Sequence, residues 1–216
     1  MSHARPLRPG DQLLLGTTSA GKQRELRALL GDLPLELVTP QQLGLAFVPE
    51  ESGTTFAANA RLKARAYHAA TGLPTLAEDS GLEVDALGSA PGVHSARWEG
   101  LPDGAAKNAL LLQRLAGVPP ARRGCRYVCH MVLIDRCGTE HHTEGECRGQ
   151  VALEARGEGG FGYDPVFYLP ELGRTMAELS PAEKDRLSHR GAAARQMRAI
   201  LLRLLADAPA CERAQR

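Results

Sequence analysis

The sequence predicts a mixed α/β protein built around a mixed β-sheet. In the first half of the chain, short apolar segments alternate with amphipathic segments of helical period, which is typical of strands joined by helices. In the second half, residues 125–135 and 139–149 alternate apolar and polar side chains on either side of Cys137-Gly138. This pattern indicates two long strands in an antiparallel hairpin. Parallel and antiparallel strands are therefore both expected.

The first half begins with two strands and two helices in alternation. They are predicted over residues 12–16 (strand), 21–31 (helix), 35–39 (strand) and about 54–71 (helix). A threonine cap opens the second helix and Gly72 closes it. The segment "PTLAEDSGLEVDAL" then predicts a buried strand that ends at Glu78 and Asp79, turns at Gly81 and resumes.

The second half adds helices on both sides of the hairpin. Helices are predicted over about 103–116 and about 190–206, and a short strand over 166–168 follows "GEGGFGYDP". Asp103 is the expected cap of the first of these helices, and Gly117 ends it. Ser180, Pro181 and Glu183 have the spacing of a capping box with proline at the first helical position.

Composition favours a cytoplasmic protein, and its net charge gives no reason to expect binding to nucleic acid or to a membrane. The formal net charge is +1, and no long apolar run is present. The start of the chain is polar and predicts no secretory signal, and the five cysteines lack C-x-x-C spacing, as expected of reduced thiols. No repeat or long linker divides the 216 residues. We expect a single domain over 12–207, with flexible ends at 1–11 and 208–216.

The stretch "GTTSAGKQ", Gly16 to Gln23, fits seven of the eight positions of a phosphate-binding P-loop. The eighth position requires a hydroxyl for Mg²⁺ but holds Gln23. An apparent Walker B segment ends at Asp135, which falls at the tip of the hairpin instead of at the end of a parallel strand. These two observations disfavour a true P-loop protein. A strand, a glycine loop and a helix with Lys22 at its start still favour binding of an anion.

Two acidic pairs and two lysines complete a set of groups suited to a metal–polyphosphate. Glu50 and Glu51 precede a predicted helix that carries Lys63, and Glu78-Asp79 falls at the predicted end of the buried strand. Carboxylates bind Mg²⁺, lysines neutralise phosphate charge, and a carboxylate beside metal-bound water acts as a base. Either acidic pair alone is also explained as an exposed turn or a strand end.

Taken together, these motifs resemble the inosine/xanthosine triphosphate pyrophosphatase family. The resemblance covers about Leu13 to Leu205 and rests on "TTSAGKQRE", "EESGTTFAANARLKAR", "AEDSGLEVDALGSAPGVHSARW", "GEGGFGYDPVF" and "SPAEKDRLSHRG". It implies a long central mixed sheet, with helices forming two lobes around a nucleotide cleft, usually in a homodimer. It also implies Mg²⁺-dependent hydrolysis of non-standard purine nucleoside triphosphates (ITP, dITP, XTP) to the monophosphate and pyrophosphate.

The resemblance assigns a role to each matching position. Asp79 matches a metal ligand that is also the general base, and Lys22 matches the main phosphate cation. Glu50 or Glu51 matches a second metal ligand, and the doublet leaves the choice open. The remaining substrate contacts implied are Thr17, Thr18, Ser19, Ala20, Gly21, Lys63, Ser80, Phe161, Gly162, Tyr163, Asp164, Lys184, Ser188, His189 and Arg190. Lys107 matches nothing and is assigned to a solvated helix face.

The implied base-binding segment also makes chemical sense. Glycines around Phe161 allow the backbone to approach a planar ring, on which Phe161 or Tyr163 can stack. Lys184, His189 or Arg190 can donate to O6 of a 6-oxo purine, whereas the 6-amino group of adenine would leave such donors unpaired. Without the resemblance, "SHRG" is equally well explained as a corner between helices with histidine as a cap. Phe161 and Tyr163 are then explained as core residues.

Two departures from the family pattern and three alternative functions remain open. Ser19 stands where the family usually has Asn, and Ala58 where it often has Glu. A zinc site on the cysteine- and histidine-rich hairpin is disfavoured by its spacing. A nucleotide-binding module without turnover would not need Asp79. Pyrophosphatase chemistry on modified pyrimidines is disfavoured by the base-binding segment.

Overall fold

The computed structural model describes residues 7–101 and 104–213, and within 208–213 it describes the backbone only. Asp103, the predicted cap of the third helix, lies outside the described residues. Within the predicted flexible N-terminus, Leu7 is buried and the Arg8 N–H donates to Asp11 Oδ2 over 2.8 Å. The chain clusters into two compact units. The first comprises the chain up to Asp79, His130–Glu144 and the chain from Ala193; the second comprises Ser80–Cys129 and Gly145–Ala192.

The sheet is mixed, as the sequence predicts. Its seven strands run in the order β2-β1-β3-β4-β5-β6-β7. They are β1 Gln12–Leu15, β2 Glu36–Val38, β3 Thr75–Val84, β4 Gly124–Ile134, β5 Glu140–Val151, β6 Phe167–Leu169 and β7 Arg174–Thr175. Strand β1 pairs in parallel with β2 and β3, whereas β6 pairs antiparallel with β5 and β7. The link between β4 and β5, over 135–139, is too short for a parallel crossover, so the predicted hairpin is confirmed.

Five α-helices accompany the sheet in the described ranges. They are α1 Ala20–Leu30, α2 Phe56–Thr71, α3 Gly104–Arg114, α4 Pro181–Leu187 and α5 His189–Arg213. The predicted ends of α2 are confirmed, since Thr55 accepts from the Ala58 N–H and Gly72 takes a left-handed φ of 67°. The capping box of Ser180 and Glu183 is also present. The predicted end of α5 near 206 is wrong, because the helical backbone continues beyond the apolar period that suggested it.

Strand β3 runs without a break through Gly81, so the predicted turn there is wrong. A Cβ on Gly81 would lie 2.3 Å from Ser95 Oγ and 2.7 Å from Gly92 O. Ser95 Oγ also accepts from the Leu82 N–H over 2.9 Å. The glycine therefore allows a close approach of the segment 92–100 rather than a change of direction. As a consequence, Glu78 and Asp79 lie in the middle of a long strand and not at its end.

Each unit has its own apolar core. In the first unit, buried clusters join α2 to the sheet through Ala60, Ala64, Tyr67, Leu14, Val38, Ala77, Val132 and Ile134. In the second unit, one cluster packs α3 against β4 and the segment 163–179, with Leu111, Tyr127, Trp98, Tyr163, Phe167 and Met176 among its members. These cores fix the segments that carry the predicted site residues. No helix in the described ranges is long and apolar enough to cross a membrane.

Candidate active site

The loop 16–19 links the end of β1 to α1, whose first turn contains Ala20 and Gly21. Ser19 caps the helix: its Oγ accepts from the Lys22 N–H at 3.5 Å, and its own N–H donates to Thr17 Oγ1 over 3.2 Å. Thr17 is buried, while Thr18 and Ala20 are exposed. The backbone N–H groups of the first turn carry the positive end of the helix dipole. The loop therefore lies at the positive end of the α1 dipole, and binding of an anion there stays a prediction.

Gln23, the residue that breaks the P-loop pattern, supports this loop. Its Nε2 donates to the Thr17 carbonyl oxygen over 2.7 Å and to Gln41 Oε1 over 3.1 Å. An amide that holds the loop backbone takes the place of a hydroxyl that would ligate a metal. Asp135, the Walker B candidate, accepts from the N–H groups of Cys137 and Thr139 within the hairpin connection. Both positions thus have structural partners, which argues against the P-loop alternative.

In the first unit, two lysines lie among three carboxylates, a set we call the acid–lysine cluster (Lys22, Glu51, Lys63, Glu78, Asp79). Lys63 Nζ lies 2.6 Å from Glu51 Oε1 and 3.1 Å from Asp79 Oδ1. Lys22 Nζ lies 3.4 Å from Glu78 Oε2, whose side chain is fully buried. Residues from α1, α2, β3 and the loop before α2 thus meet at one place. Of the acidic doublet, Glu51 joins this cluster, whereas Glu50 is exposed.

Asn59 is a member of this site that the sequence analysis missed. It is fully buried in α2, donates from Nδ2 to Asp79 Oδ2 over 3.1 Å, and accepts from the Gly53 N–H over 2.8 Å. Asp79 is therefore held by Asn59 on one oxygen and by Lys63 on the other. The same amide fixes the loop that carries Glu51. The only signal in the sequence was its position four residues before Lys63, one turn along the same helix face.

Burial and neighbouring charges act against each other in the acid–lysine cluster. Burial raises the pKa of Asp79 above its ordinary value despite the opposing charges of Lys63 and Lys22. Burial alone would lower the pKa of Lys63, but the charges of Asp79, Glu51 and Glu78 raise it overall. Lys63 is therefore a permanent cation. Asp79 is a stronger base than an ordinary aspartate, which suits a group that accepts a proton.

The donor set of the acid–lysine cluster fits a hard divalent cation that is only partly ligated by protein. Within residues 7–101 and 104–213, no group of three or more His, Cys, Asp and Glu side chains is arranged to hold a metal ion by itself. Glu51 and Asp79 nevertheless present carboxylate oxygens to one cation, the Lys63 ammonium. Mg²⁺ typically takes one or two carboxylates and completes its shell with water and phosphate oxygens. Glu51 and Asp79 could therefore supply the two carboxylates of such a site.

In the second unit, Phe161, Asp164, Lys184 and Arg190 form what we call the ring–cation cluster. Lys184 Nζ lies 4.8 Å and Arg190 Cζ 5.4 Å from the centroid of the Phe161 ring. Asp164, which is buried, accepts on Oδ2 from Lys184 Nζ and from the Phe161 N–H, the latter over 2.7 Å. Arg190 also donates to Ser80 Oγ over 2.9 Å. A planar ring and several fixed donors are thus brought together.

The glycine loop before Phe161 packs tightly against this cluster. A Cβ on Gly160 would lie 2.0 Å from Asp164 Oδ2 and 3.0 Å from Lys184 Nζ, so only glycine fits. The loop and α3 also line a pocket of about 490 Å³. There Asn108 donates to the Gly162 carbonyl oxygen over 3.1 Å. The loop is therefore fixed both by Asp164 and by α3.

The segment "SHRG" forms a corner between α4 and α5, and its cap is Ser188 rather than His189. Ser188 Oγ accepts from the Gly191 N–H over 3.0 Å, and the Ser188 N–H donates to the Lys184 carbonyl oxygen over 2.8 Å. Ser188 is thus committed to the backbone. His189 instead stacks on Tyr127, with ring centroids 4.5 Å apart and an interplanar angle of 14°. The corner places Lys184 and Arg190 in the same cluster.

Two residues lie where the sequence did not place them. Lys107 is buried, and its Nζ donates to the Ala96 carbonyl oxygen over 2.9 Å, so the expectation of a solvated face was wrong. The reason is that α3 packs this side against the segment 92–100. Tyr163 lies in the core of the second unit, beside Trp98, and donates its O–H to the Ser95 carbonyl oxygen over 3.1 Å. Its ring is therefore core rather than a stacking platform.

Two histidines of the hairpin lie beside different carboxylates. His130 lies 3.5 Å from Glu144, and His141 lies 2.9 Å from Asp135. Cys129 is buried, and burial raises the pKa of Cys147 to about 11. Among the described residues, no three His, Cys, Asp or Glu side chains are grouped so that they could hold a metal ion. These contacts give the zinc alternative no support.

The fold and the two clusters define an α/β protein with an anion-binding loop, paired carboxylates and a planar-ring site. The sequence profile of the Ham1 family matches residues 13–200. The dITP/XTP pyrophosphatase of Frankia alni is 47% identical over 203 residues, which cover 90% of this chain and 98% of that protein. The dITP/XTP pyrophosphatase of Xanthomonas oryzae pv. oryzae is 50% identical over 184 residues, covering 84% and 92%.

A solved structure shows the same fold. The HAM1 protein of Coxiella burnetii matches with a TM-score of 0.80 at 37% identity, over 89% of this chain and 99% of that chain. The protein described here belongs to the Ham1 family. The resemblance and the α/β fold class inferred from the sequence are thereby confirmed.

Proposed function

We propose that this protein hydrolyses non-standard purine nucleoside triphosphates, including dITP, XTP and ITP, to the monophosphate and pyrophosphate with Mg²⁺. Its enzyme class follows from the family, whose relatives are named as pyrophosphatases: it is a nucleoside-triphosphate pyrophosphatase, a hydrolase. The observation that carries the finer proposal is the position of Lys63 Nζ between Glu51 and Asp79. A cation site shared by two carboxylates, beside an anion-binding loop, suits a metal–triphosphate.

Four members of the acid–lysine cluster, Lys22, Glu51, Lys63 and Asp79, have a part in the proposed reaction. Lys22 and Lys63 neutralise phosphate oxygens, and the first turn of α1 donates backbone N–H groups to the same chain of phosphates. Mg²⁺, when bound by Glu51 and Asp79, would add charge neutralisation and a more acidic water. Asp79 accepts the proton of the water that attacks the α-phosphorus. The bond between the α-phosphorus and the bridging oxygen then breaks, and pyrophosphate leaves.

The ring–cation cluster supports recognition of a 6-oxo purine. Lys184 and Arg190 carry N–H donors beside the Phe161 ring, and His189, which stacks on Tyr127, offers a further ring nitrogen. Such donors suit an acceptor at O6 of a base. The 6-amino group of adenine is a donor and would leave a buried donor unpaired. Asp164 is committed to Lys184 and to the Phe161 N–H, and we assign it the role of fixing these groups.

The direct test is pyrophosphate release from dITP, XTP, ITP, GTP and ATP, with Mg²⁺ and after its removal by a chelator. We expect rapid release from the first three, slow release from ATP, and loss of activity on chelation. Inorganic phosphate as the first product would contradict the proposal. Binding without release would favour the nucleotide-binding alternative, and activity on modified pyrimidine nucleotides alone would favour the other substrate class. A homodimer in the cytoplasm remains a further prediction.

A further inference from the structure

Tyr127 lies on β4 in the second unit with both faces of its ring covered. On one side, Phe167 stacks on it with centroids 4.4 Å apart and an interplanar angle of 20°. On the other, the His189 ring lies 4.5 Å away at 14°. Tyr127 is only 6% exposed. Its ring is therefore fixed in position, and it fixes the plane of the His189 imidazole in turn.

The hydroxyl of Tyr127 reaches the carboxylate at the centre of the ring–cation cluster. It donates to Asp164 Oδ1 over 3.2 Å, while Asp164 Oδ2 accepts from Lys184 and the Phe161 N–H. Burial, and then the charge of Asp164, raise the pKa of Tyr127 well above its ordinary value. The hydroxyl thus keeps its proton and remains a donor. Three donors from three segments therefore determine the rotation of one buried carboxylate.

We infer that Tyr127 is a positioning residue for base recognition: it orients Asp164 through its hydroxyl and His189 through its ring. This inference rests on the proposed function, because it assigns Tyr127 an effect on the group that reads the base. Without the hydroxyl, Asp164 can rotate, and the Lys184 ammonium and the Phe161 backbone lose their fixed acceptor. The donors would then no longer be aligned for a 6-oxo group.

Tyr127→Phe isolates the hydroxyl, because phenylalanine keeps the ring that stacks between Phe167 and His189. We expect the Kd for inosine monophosphate to rise about tenfold, the scale of one hydrogen bond to a charged group, with little change for AMP. With XTP as substrate, KM should rise by a similar factor while kcat changes little. Calorimetric binding and initial rates on the whole protein measure these values.

Tyr168→Phe is the matched control, because Tyr168 is in the same unit on β6 and contacts Arg156 rather than the cluster. Tyr168→Phe should leave the Kd for inosine monophosphate and the KM for XTP at their wild-type values. A Tyr127→Phe protein with a lower melting temperature but unchanged discrimination between the two monophosphates would overturn the inference, since that is the result of a merely structural role. Equal binding of inosine monophosphate and AMP by the wild type would overturn the proposed base recognition and this inference with it. If the wild type discriminates in binding but does not turn over XTP, only the proposed reaction fails.

Discussion

The side-chain amide of Asn59 donates to Asp79 Oδ2 over 3.1 Å, across 20 residues of sequence. This contact leaves Asp79 Oδ1 to Lys63 and sets the direction of the carboxylate that we assign as the base. The loop that carries Glu51 depends on the same amide through the Gly53 N–H. Asn59 therefore connects the two proposed metal ligands without being one of them.

Asn59→Ala should lower activity because Asp79 and the Glu51 loop both lose a partner. We expect kcat to fall about 10- to 100-fold, and the Mg²⁺ concentration for half-maximal activity to rise, as for other residues that orient metal ligands. Steady-state rates across a Mg²⁺ titration measure both. Thr143→Val is the control: it also removes a buried side-chain hydrogen bond, from Thr143 Oγ1 to the Ala193 carbonyl oxygen, but away from the cluster. Equal effects of the two changes would contradict the role of Asn59.

Lys63→Met should remove most activity, because it takes away the cation between Glu51 and Asp79 and a proposed phosphate contact. We expect kcat/KM to fall about 100-fold or more, the scale seen when one donor to a developing charge is lost. Lys107→Met is the matched control, since Lys107 is also buried in a helix but donates to the Ala96 carbonyl oxygen. The control should cost about 1 kcal/mol of stability with little change in rate. Equal loss of activity in both variants would contradict a direct role of Lys63 in the reaction.

Substitution of the two residues of the acidic doublet should affect activity differently. Glu51→Gln weakens the interaction with Lys63 and removes a negative charge from the proposed metal site. We expect activity to fall about tenfold or more. Glu50→Gln, at an exposed position next to it, should remain close to wild type. Parallel rate measurements at saturating Mg²⁺ separate them. The reverse order would place the metal ligand at Glu50.

Gln23→Ser completes the P-loop pattern and tests whether the completed loop hydrolyses ATP as a P-loop protein does. We expect no gain of ATP hydrolysis to ADP, and a higher KM for the preferred triphosphate, since the Thr17 carbonyl oxygen loses its donor. Product analysis by chromatography distinguishes ADP from AMP. Appearance of ADP at an appreciable rate would revive the P-loop interpretation.

Glu183 should make stability depend on pH in the acid range. Its hydrogen bonds with Arg174 and with the Ser180 N–H lower its pKa from 4.5 to about 2. Because the folded pKa lies below the unfolded one, the stabilisation is complete above pH 4.5 and is lost as the pH falls towards 2. The difference in melting temperature between wild type and Glu183→Gln should therefore shrink over this interval. A difference that stays constant from pH 7 to pH 2 would contradict this assignment.

Features determined by neighbouring residues were predictable from the sequence. Thr55 and Gly72 mark the ends of α2, and Ser180 and Glu183 mark the start of α4, because caps act within one turn. The fold class and the family also followed from local pattern and motif order. The exposed position of Glu50 could not be read from the doublet, because the two acids are chemically identical.

Features determined by distant contacts were missed or mistaken. Gly81 suggested a turn because its real constraint, Ser95, lies elsewhere in the sequence. Lys107 suggested a solvated face because its acceptor belongs to the segment 92–100. Tyr127 gave no signal at all, since its partner Asp164 is 37 residues away. Such roles arise only when packing brings the segments together.

The most direct test of the account is hydrolysis of XTP in ¹⁸O-labelled water, comparing the wild type with Asp79→Asn at saturating Mg²⁺. We predict that the wild type releases pyrophosphate and places the label in the monophosphate, and that the variant loses the reaction while keeping its fold. Label in pyrophosphate or in inorganic phosphate, or an undiminished rate in the variant, would contradict attack at the α-phosphorus with Asp79 as the base.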